Sequence, residues 1–129
     1  MSPVLLDTHV ILWALNGDPK LGREAAAMIR TSAVAYSTGS IWEIAIKSKI
    51  GKLQLPVSPA TLARRLDDQG LDRIDIELDH VLTAGDLELH HRDPFDRLLV
   101  AQALEEGIPL MSGDTALHPY GATIVDPTA

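Results

Sequence analysis

Apolar positions along the chain fall into short unbroken runs separated by longer stretches of helical period. Val4 to Leu6 form such a run, the pattern of a strand buried on both faces. Asp7, Thr8 and His9 interrupt it, and Val10 to Leu15 then read as a helical turn or two ending at Asn16-Gly17. Pro19 opens a second helix with Leu21, Ala25, Met28 and Ile29 on one stripe, running to about Ser32. Ala33 to Tyr36 predict a strand. From the Ser-Thr-Gly-Ser cluster at 37–40 a third helix runs through Ile41, Trp42, Ala45 and Ile46 to Gly51.

Ser58-Pro59 is a cap followed by proline at the first helical position, and that helix carries Leu62 and Leu66 before Gly70. In "LDRIDIEL", Leu71, Ile74, Ile76 and Leu78 are interleaved with acids, which predicts a strand at an edge or with one wet face. Asp79 caps a short helix through Val81, Leu82 and Leu87. Asp93-Pro94 repeats the cap-plus-proline signal and opens an amphipathic helix ending at Gly107. Ile108 to Met111 and Ala122 to Val125 predict strands, with a turn or short helix over Asp114 to Leu117 between them. Strands alternating with helices imply parallel pairing through right-handed crossovers, hence an α/β fold with an open sheet between helical layers. Chemistry in such folds collects at the carboxyl ends of strands. Asp7 and Asp114 both lie just past apolar strands.

A length of 129 residues suits one core, and the expectation is a single domain over residues 1–129. Cysteine is absent, which excludes disulfide scaffolds, thiolate zinc sites and cysteine nucleophiles. No apolar run approaches the ~20 residues that span a bilayer, and the N-terminus starts with a strand pattern, so the expectation is a soluble cytoplasmic protein with no membrane partner. The net charge of −7 argues against nucleic acid until it is mapped. Residues 67–88 hold eight acids against Arg73 alone. Residues 20–65 hold Lys20, Arg23, Arg30, Lys47, Lys49, Lys52, Arg64 and Arg65 against Glu24 and Glu43. That local excess attracts a polyanion, although scattered lysines equally describe a solvated helix face.

Asp7, Glu43, Asp96 and Asp114 all lie at junctions of an apolar segment with a helix. Each has a purely structural alternative: Asp7 and Asp114 as helix caps, Glu43 as the far half of a capping box with Ser40, and Asp96 as a first-turn acid favoured by the helix dipole. Asp93, before Pro94, is the natural cap of its helix. Taken together the acids carry a different implication. Carboxylates converging on one sheet end repel, and burial without a counter-charge costs several kcal/mol, at least in rough scale. Magnesium or manganese offsets them, and hard cations of this kind support phosphodiester hydrolysis without a covalent enzyme intermediate.

"VLLDTHVILWAL", "STGSIWEIAIKSKIGKL" and "HHRDPFDRLLVAQALEEGIPLMSGD" together resemble the PIN-domain ribonucleases, and among them the VapC-type toxins of bacterial toxin-antitoxin pairs. The likeness spans Val4 to about Val125. It implies a three-layer α/β/α sandwich with a mostly parallel central sheet, and a divalent-metal-dependent endoribonuclease that uses Mg2+ or Mn2+. It also implies that Asp7, Glu43, Asp96 and Asp114 bind the metal. Thr8 resembles the hydroxyl beside the first acid and Ser112 the hydroxyl before the last. His9 stands where many relatives have asparagine or serine and is read as a neighbour of the site. Asp93 matches an often acidic position, as cap, supporting group or ligand. The implied partners are a cognate antitoxin, a second copy in a homodimer, and transfer or ribosomal RNA as substrate.

Lys47, Lys49 and Lys52 after Glu43, and Arg92 and Arg97 around Asp96, are candidates for holding RNA phosphates, which positions a strand without reading its sequence. Trp13 and Trp42 sit in apolar helical patterns and read as core. His90-His91 is a poor zinc or copper site, because sequence neighbours diverge in direction and no cysteine supports them. Two rival functions remain open: an aspartate-nucleophile phosphatase or phosphotransferase, whose pattern has an acid where this chain has His9, and a non-catalytic RNA- or protein-binding module on the same fold. No P-loop, Gly-x-Gly-x-x-Gly or Gly-x-Ser-x-Gly motif occurs.

Overall fold

A computed structural model describes residues 3–31, 33–89 and 92–129. Strands β1 (Val4–Leu6), β2 (Val34–Ser37), β3 (Asp72–Ile74), β4 (Leu110–Met111) and β5 (Ile124–Val125) form one sheet in the order β3-β2-β1-β4-β5, and every pair is parallel. The helices are α1 (Thr8–Asn16), α2 (Arg23–Arg30), α3 (Thr38–Lys49), α4 (Pro59–Asp68), α5 (Leu78–Asp86) and α6 (Pro94–Glu106), with a 3-10 helix over Thr115–Tyr120.

The period of two along β1 sorts its side chains between two layers. Val4 and Leu6 pack with Val10 and Ile11 of α1, Ala25 of α2, Ile44 of α3 and Leu62 of α4. Leu5, pointing the other way, packs with Leu99, Val100 and Ala103 of α6 and Leu117 of the 3-10 helix. The result is the expected α/β/α sandwich. Its all-parallel sheet reverses strand order between β1 and β4, and that reversal makes a crevice at their carboxyl ends. Among the described residues no helix is long and apolar enough to cross a membrane.

Several boundaries differ from expectation. Helix α2 starts at Arg23 and not at Pro19, where its first amides are met by a distant carbonyl: Glu24 and Ala25 donate N–H to Ala129 O at 3.0 and 3.3 Å. Gly22 permits that approach, since a Cβ there would lie 1.9 Å from Ala129 O. The expected strand from Leu71 shrinks to Asp72–Ile74, pairing only with β2 at the sheet edge. Beyond it, Glu77 caps α5 in place of Asp79, and Leu78, Val81 and Leu82 are exposed. Trp42 is not core but 58% exposed, set edge-on against Phe95 with ring centroids 5.2 Å apart. Trp13 is half-buried beside His9. Ser32, His90 and His91 lie outside the described residues.

Two close contacts set the positions of α3 and α6. Ser37, last in β2, accepts Gly39 N–H at 3.0 Å and so caps α3 directly off the strand. Gly39 lies against α6, where an added Cβ would meet Leu98 Cδ2 at 2.8 Å. A side chain there would have to push the end of Leu98 aside, so glycine gives these helices their closest approach.

Candidate functional site

At the carboxyl end of β1, Asp7 is nearly inaccessible, at 2% exposure. Its Oδ1 accepts Thr8 N–H and its Oδ2 accepts the Ser112 hydroxyl, each at 2.6 Å. Ser112 follows β4, so this bond closes the crevice between the two central strands. Ser112 Oγ also accepts Asp114 N–H at 3.1 Å, which ties the Asp114 backbone to Asp7 through one hydroxyl. Asp114 is half-buried and caps the 3-10 helix, accepting Ala116 N–H at 3.0 Å.

Glu43, at 4% exposure, approaches from α3. Thr8 Oγ1 lies 2.7 Å from Glu43 Oε1 and 2.9 Å from Ser40 Oγ. Its single proton goes to the carboxylate, so Ser40 is its donor. The capping box expected between Ser40 and Glu43 is therefore absent: Ser37 is the cap, and Glu43 turns inward to Thr8. Lys47, one helical turn on, donates from Nζ to Glu43 Oε2 at 2.5 Å.

Asp93 caps α6 by accepting Phe95 N–H at 2.8 Å and Asp96 N–H at 3.4 Å. Asp96 in the first turn thus points from a helix start held by another acid. Asp7, Thr8, His9, Glu43, Lys47, Lys52, Asp93 and Asp96 line a single cavity of about 350 Å³, together with Leu12, Ile44 and Leu53. Three separate sequence segments therefore meet there, and two of the lining acids, Asp7 and Asp93, are also the N-caps of α1 and α6.

Burial pushes the Asp7 carboxyl above the ordinary carboxylate range, against the pull of His9, the Ser112 hydroxyl and the Thr8 amide, and the Glu43 charge adds to the rise. The Lys47 ammonium is held above its usual value by its hydrogen bond to Glu43, with the Asp93 and Asp96 charges adding to that. Lys47 is accordingly a counter-ion among acids. The first shift reports burial before charge, and the second reports the acids around Lys47. The donor set is all carboxylate and hydroxyl oxygen, as hard divalent ions prefer. Among the described residues no three acids or histidines already stand at ligand spacing.

The remaining basic residues divide. Lys52 lines the cavity, and Lys49 and Arg92 are exposed outside it. Arg97, expected at RNA phosphates, is instead buried and turned away: its guanidinium donates to Ala84 O, Leu87 O and Glu88 O at 2.8, 2.7 and 3.0 Å. It closes the C-terminal end of α5. Sequence reasoning left out Ser40, whose spacing to Glu43 pointed to a cap, and gave His9 no contact. The polar run Asp-Thr-His at a strand end was the available signal for His9.

No curated protein matches the chain in sequence. Solved structures share its fold. A toxin-antitoxin complex from Klebsiella pneumoniae matches with TM-score 0.66 and 17% identity over 96% of this chain and 97% of that one. VapBC2 from Rickettsia felis, bound to a promoter DNA fragment, matches with TM-score 0.69 and 15% identity over 95% and 96%. FitAcB from Neisseria gonorrhoeae matches with TM-score 0.63 and 16% identity over 96% and 97%. From the first residue of β1 to the glycine that ends the 3-10 helix, residues 4–121 match the PIN domain, and the chain belongs to that family.

Proposed function

We propose that the protein is a divalent-metal-dependent endoribonuclease, the toxin of a toxin-antitoxin pair. PIN domains are generally nucleases. The observation that carries the reading here is the convergence of Asp7, Glu43 and Asp96 on one cavity, with Asp114 tethered beside it. Asp7, Glu43, Asp96 and Asp114 would hold Mg2+ or Mn2+. When bound, the ion supplies a water of lowered pKa and neutralises charge growing on the phosphodiester. Thr8 and Ser112 orient the Glu43 and Asp7 carboxylates. Lys52, Lys49 and Arg92 hold backbone phosphates of RNA at the cavity and its surroundings, which fixes position and not sequence.

The structural neighbour from Klebsiella pneumoniae, described as a toxin-antitoxin complex, supports an antitoxin partner. On the face opposite α6, a second cavity of about 350 Å³ is lined by Ile11, Leu15, Leu21, Leu62 and Leu66, with Arg30 and Arg65 at its edge. An amphipathic helix carrying acids beside its apolar face fits it. Trp42, Ile46 and Ile50 form an exposed apolar stripe along α3, which supports a homodimer. Such an enzyme works in the cytoplasm, where its RNA is.

The test is cleavage of an RNA panel by purified protein with Mg2+ or Mn2+, against EDTA and Asp7→Asn. Cleavage abolished by both controls is expected. Binding of every RNA without cleavage in the presence of metal overturns the reading in favour of a binding module.

A further inference from the structure

His9 takes no part in the function above, yet both nitrogens of its ring are engaged. Nε2 accepts the backbone N–H of Gly113 at 3.1 Å, and Nδ1 stands 3.3 Å from Asp7 Oδ2. The ring lies edge-on to Trp13, with centroids 5.0 Å apart, and this fixes its plane. A backbone amide can only donate, so Nε2 must carry its lone pair, and in the neutral imidazole the proton then sits on Nδ1. The nitrogen that carries it is the one within 3.3 Å of the Asp7 carboxylate.

The consequences fall on two acids at once. Asp7 Oδ2 accepts the Ser112 hydroxyl at 2.6 Å and is approached by the His9 ring, while among the described residues Oδ1 accepts the Thr8 amide alone. Each oxygen accepts one recorded hydrogen bond, and the His9 ring crowds Oδ2, so Oδ1 is the less covered of the two. Gly113 sits between Ser112, which bonds Asp7, and Asp114, which caps the next helix. Holding its amide therefore fixes the spacing of the two acids across β1 and β4. We propose that His9, in its Nδ1–H tautomer, is a positioning residue that clamps Asp7 to the Ser112–Gly113–Asp114 turn and leaves Asp7 Oδ1, the less covered oxygen, to meet a metal ion. The ligand half of this proposal rests on the metal-dependent function above, and the tautomer half does not.

Two measurements separate them. In metal-free protein, long-range ¹H–¹⁵N NMR of the histidine rings, with His9 assigned by its loss in His9→Gln, should show Nδ1 protonated and Nε2 bare. An Nε2–H tautomer or an imidazolium overturns the clamp. Titration of Mn2+ by electron paramagnetic resonance should show His9→Ala binding roughly 10- to 100-fold more weakly than wild type, the usual effect of losing a group that orients a ligand. His9→Asn, whose amide nitrogen takes the place of Nδ1, should recover part of that loss while the thermal stabilities of the two variants stay alike. It also serves as the reporter if the alanine variant fails to fold. Equal Mn2+ affinity in wild type and folded His9→Ala, or in His9→Asn and wild type where the alanine variant does not fold, overturns the ligand half. Absence of Mn2+ binding in wild type removes the metal-dependent function and the ligand half together, and leaves the NMR result to decide the clamp.

Discussion

Replacing Arg97 separates a residue that holds the fold from one that holds RNA. Its guanidinium meets three carbonyls at 2.7 to 3.0 Å, all at or just beyond the last turn of α5, and Tyr120 Oη at 3.4 Å. Arg97→Met keeps much of the apolar stem and leaves those carbonyls without their donor. Hydrogen bonds to charged groups are worth about 1.5–3 kcal/mol each. They do not add, and the native protein no longer has to desolvate a guanidinium, so the net loss is about 3 kcal/mol. At about 2.1 cal/mol/K per residue, unfolding 129 residues changes entropy by about 0.27 kcal/mol/K, so Tm should fall by about 11 °C. Arg97→Lys retains charge but not the planar fork, and should lose about half as much. Thermal unfolding by circular dichroism reads both, with RNA cleavage measured per folded molecule below the transition. Cleavage should be unchanged. A Tm within about 2 °C of wild type together with weakened RNA binding refutes the structural assignment.

The Asp7 carboxyl, raised by burial, binds its proton more tightly folded than unfolded, so stability of metal-free protein falls as pH rises from the unfolded value of 3.8 through the raised folded one. Asp7→Asn should therefore raise Tm at neutral pH in EDTA while abolishing cleavage, and a lower Tm contradicts this. Tyr36, fully buried with its hydroxyl donating to Asp67 at 2.6 Å, is pushed from 10.0 up to about 12 by burial first and then by Asp67. Its contribution is complete below pH 10 and lost as pH rises through about 12, at most about 3 kcal/mol by linkage. Denaturant midpoints across that range should drop in wild type and drop less in Tyr36→Phe. At Gly39, where a Cβ would meet Leu98 Cδ2 at 2.8 Å, valine overpacks the α3–α6 contact and should cost about 1–3 kcal/mol. Because α3 carries Glu43 and α6 carries Asp96, cleavage should fall too, and wild-type activity in Gly39→Val contradicts that coupling.

Much of the fold was legible because local signals agreed with tertiary demands. The Asp93-Pro94 and Ser58-Pro59 starts are where the sequence places them, since cap and proline act on the backbone directly. The α2 start was not legible: the partner of its amides is Ala129, over a hundred residues away. The acidic alternation after Leu71 correctly marked an edge. It overstated strand length, because only β2 offers hydrogen bonds there. Arg97 looked like a phosphate contact by proximity to Asp96, yet on a helix adjacent residues point in different directions. Trp42 fitted an apolar pattern that faces away from the sheet. The convergence of Asp7, Glu43 and Asp96 was implied by strand ends and family likeness, whereas the Thr8, Ser40 and Ser112 network that holds the carboxylates depends on side-chain directions which spacing does not encode.

A crystal of the protein soaked in Mn2+ tests the central claim most directly. The account predicts an anomalous peak in the cavity between α3 and α6, about 2.0–2.2 Å from a carboxylate oxygen of Asp7 and directly or through water contacting Glu43, Asp96 or Asp114, as expected for a hard ion of this class. Clear density for all four acids with no peak among them, at a concentration that saturates any RNA cleavage, contradicts it.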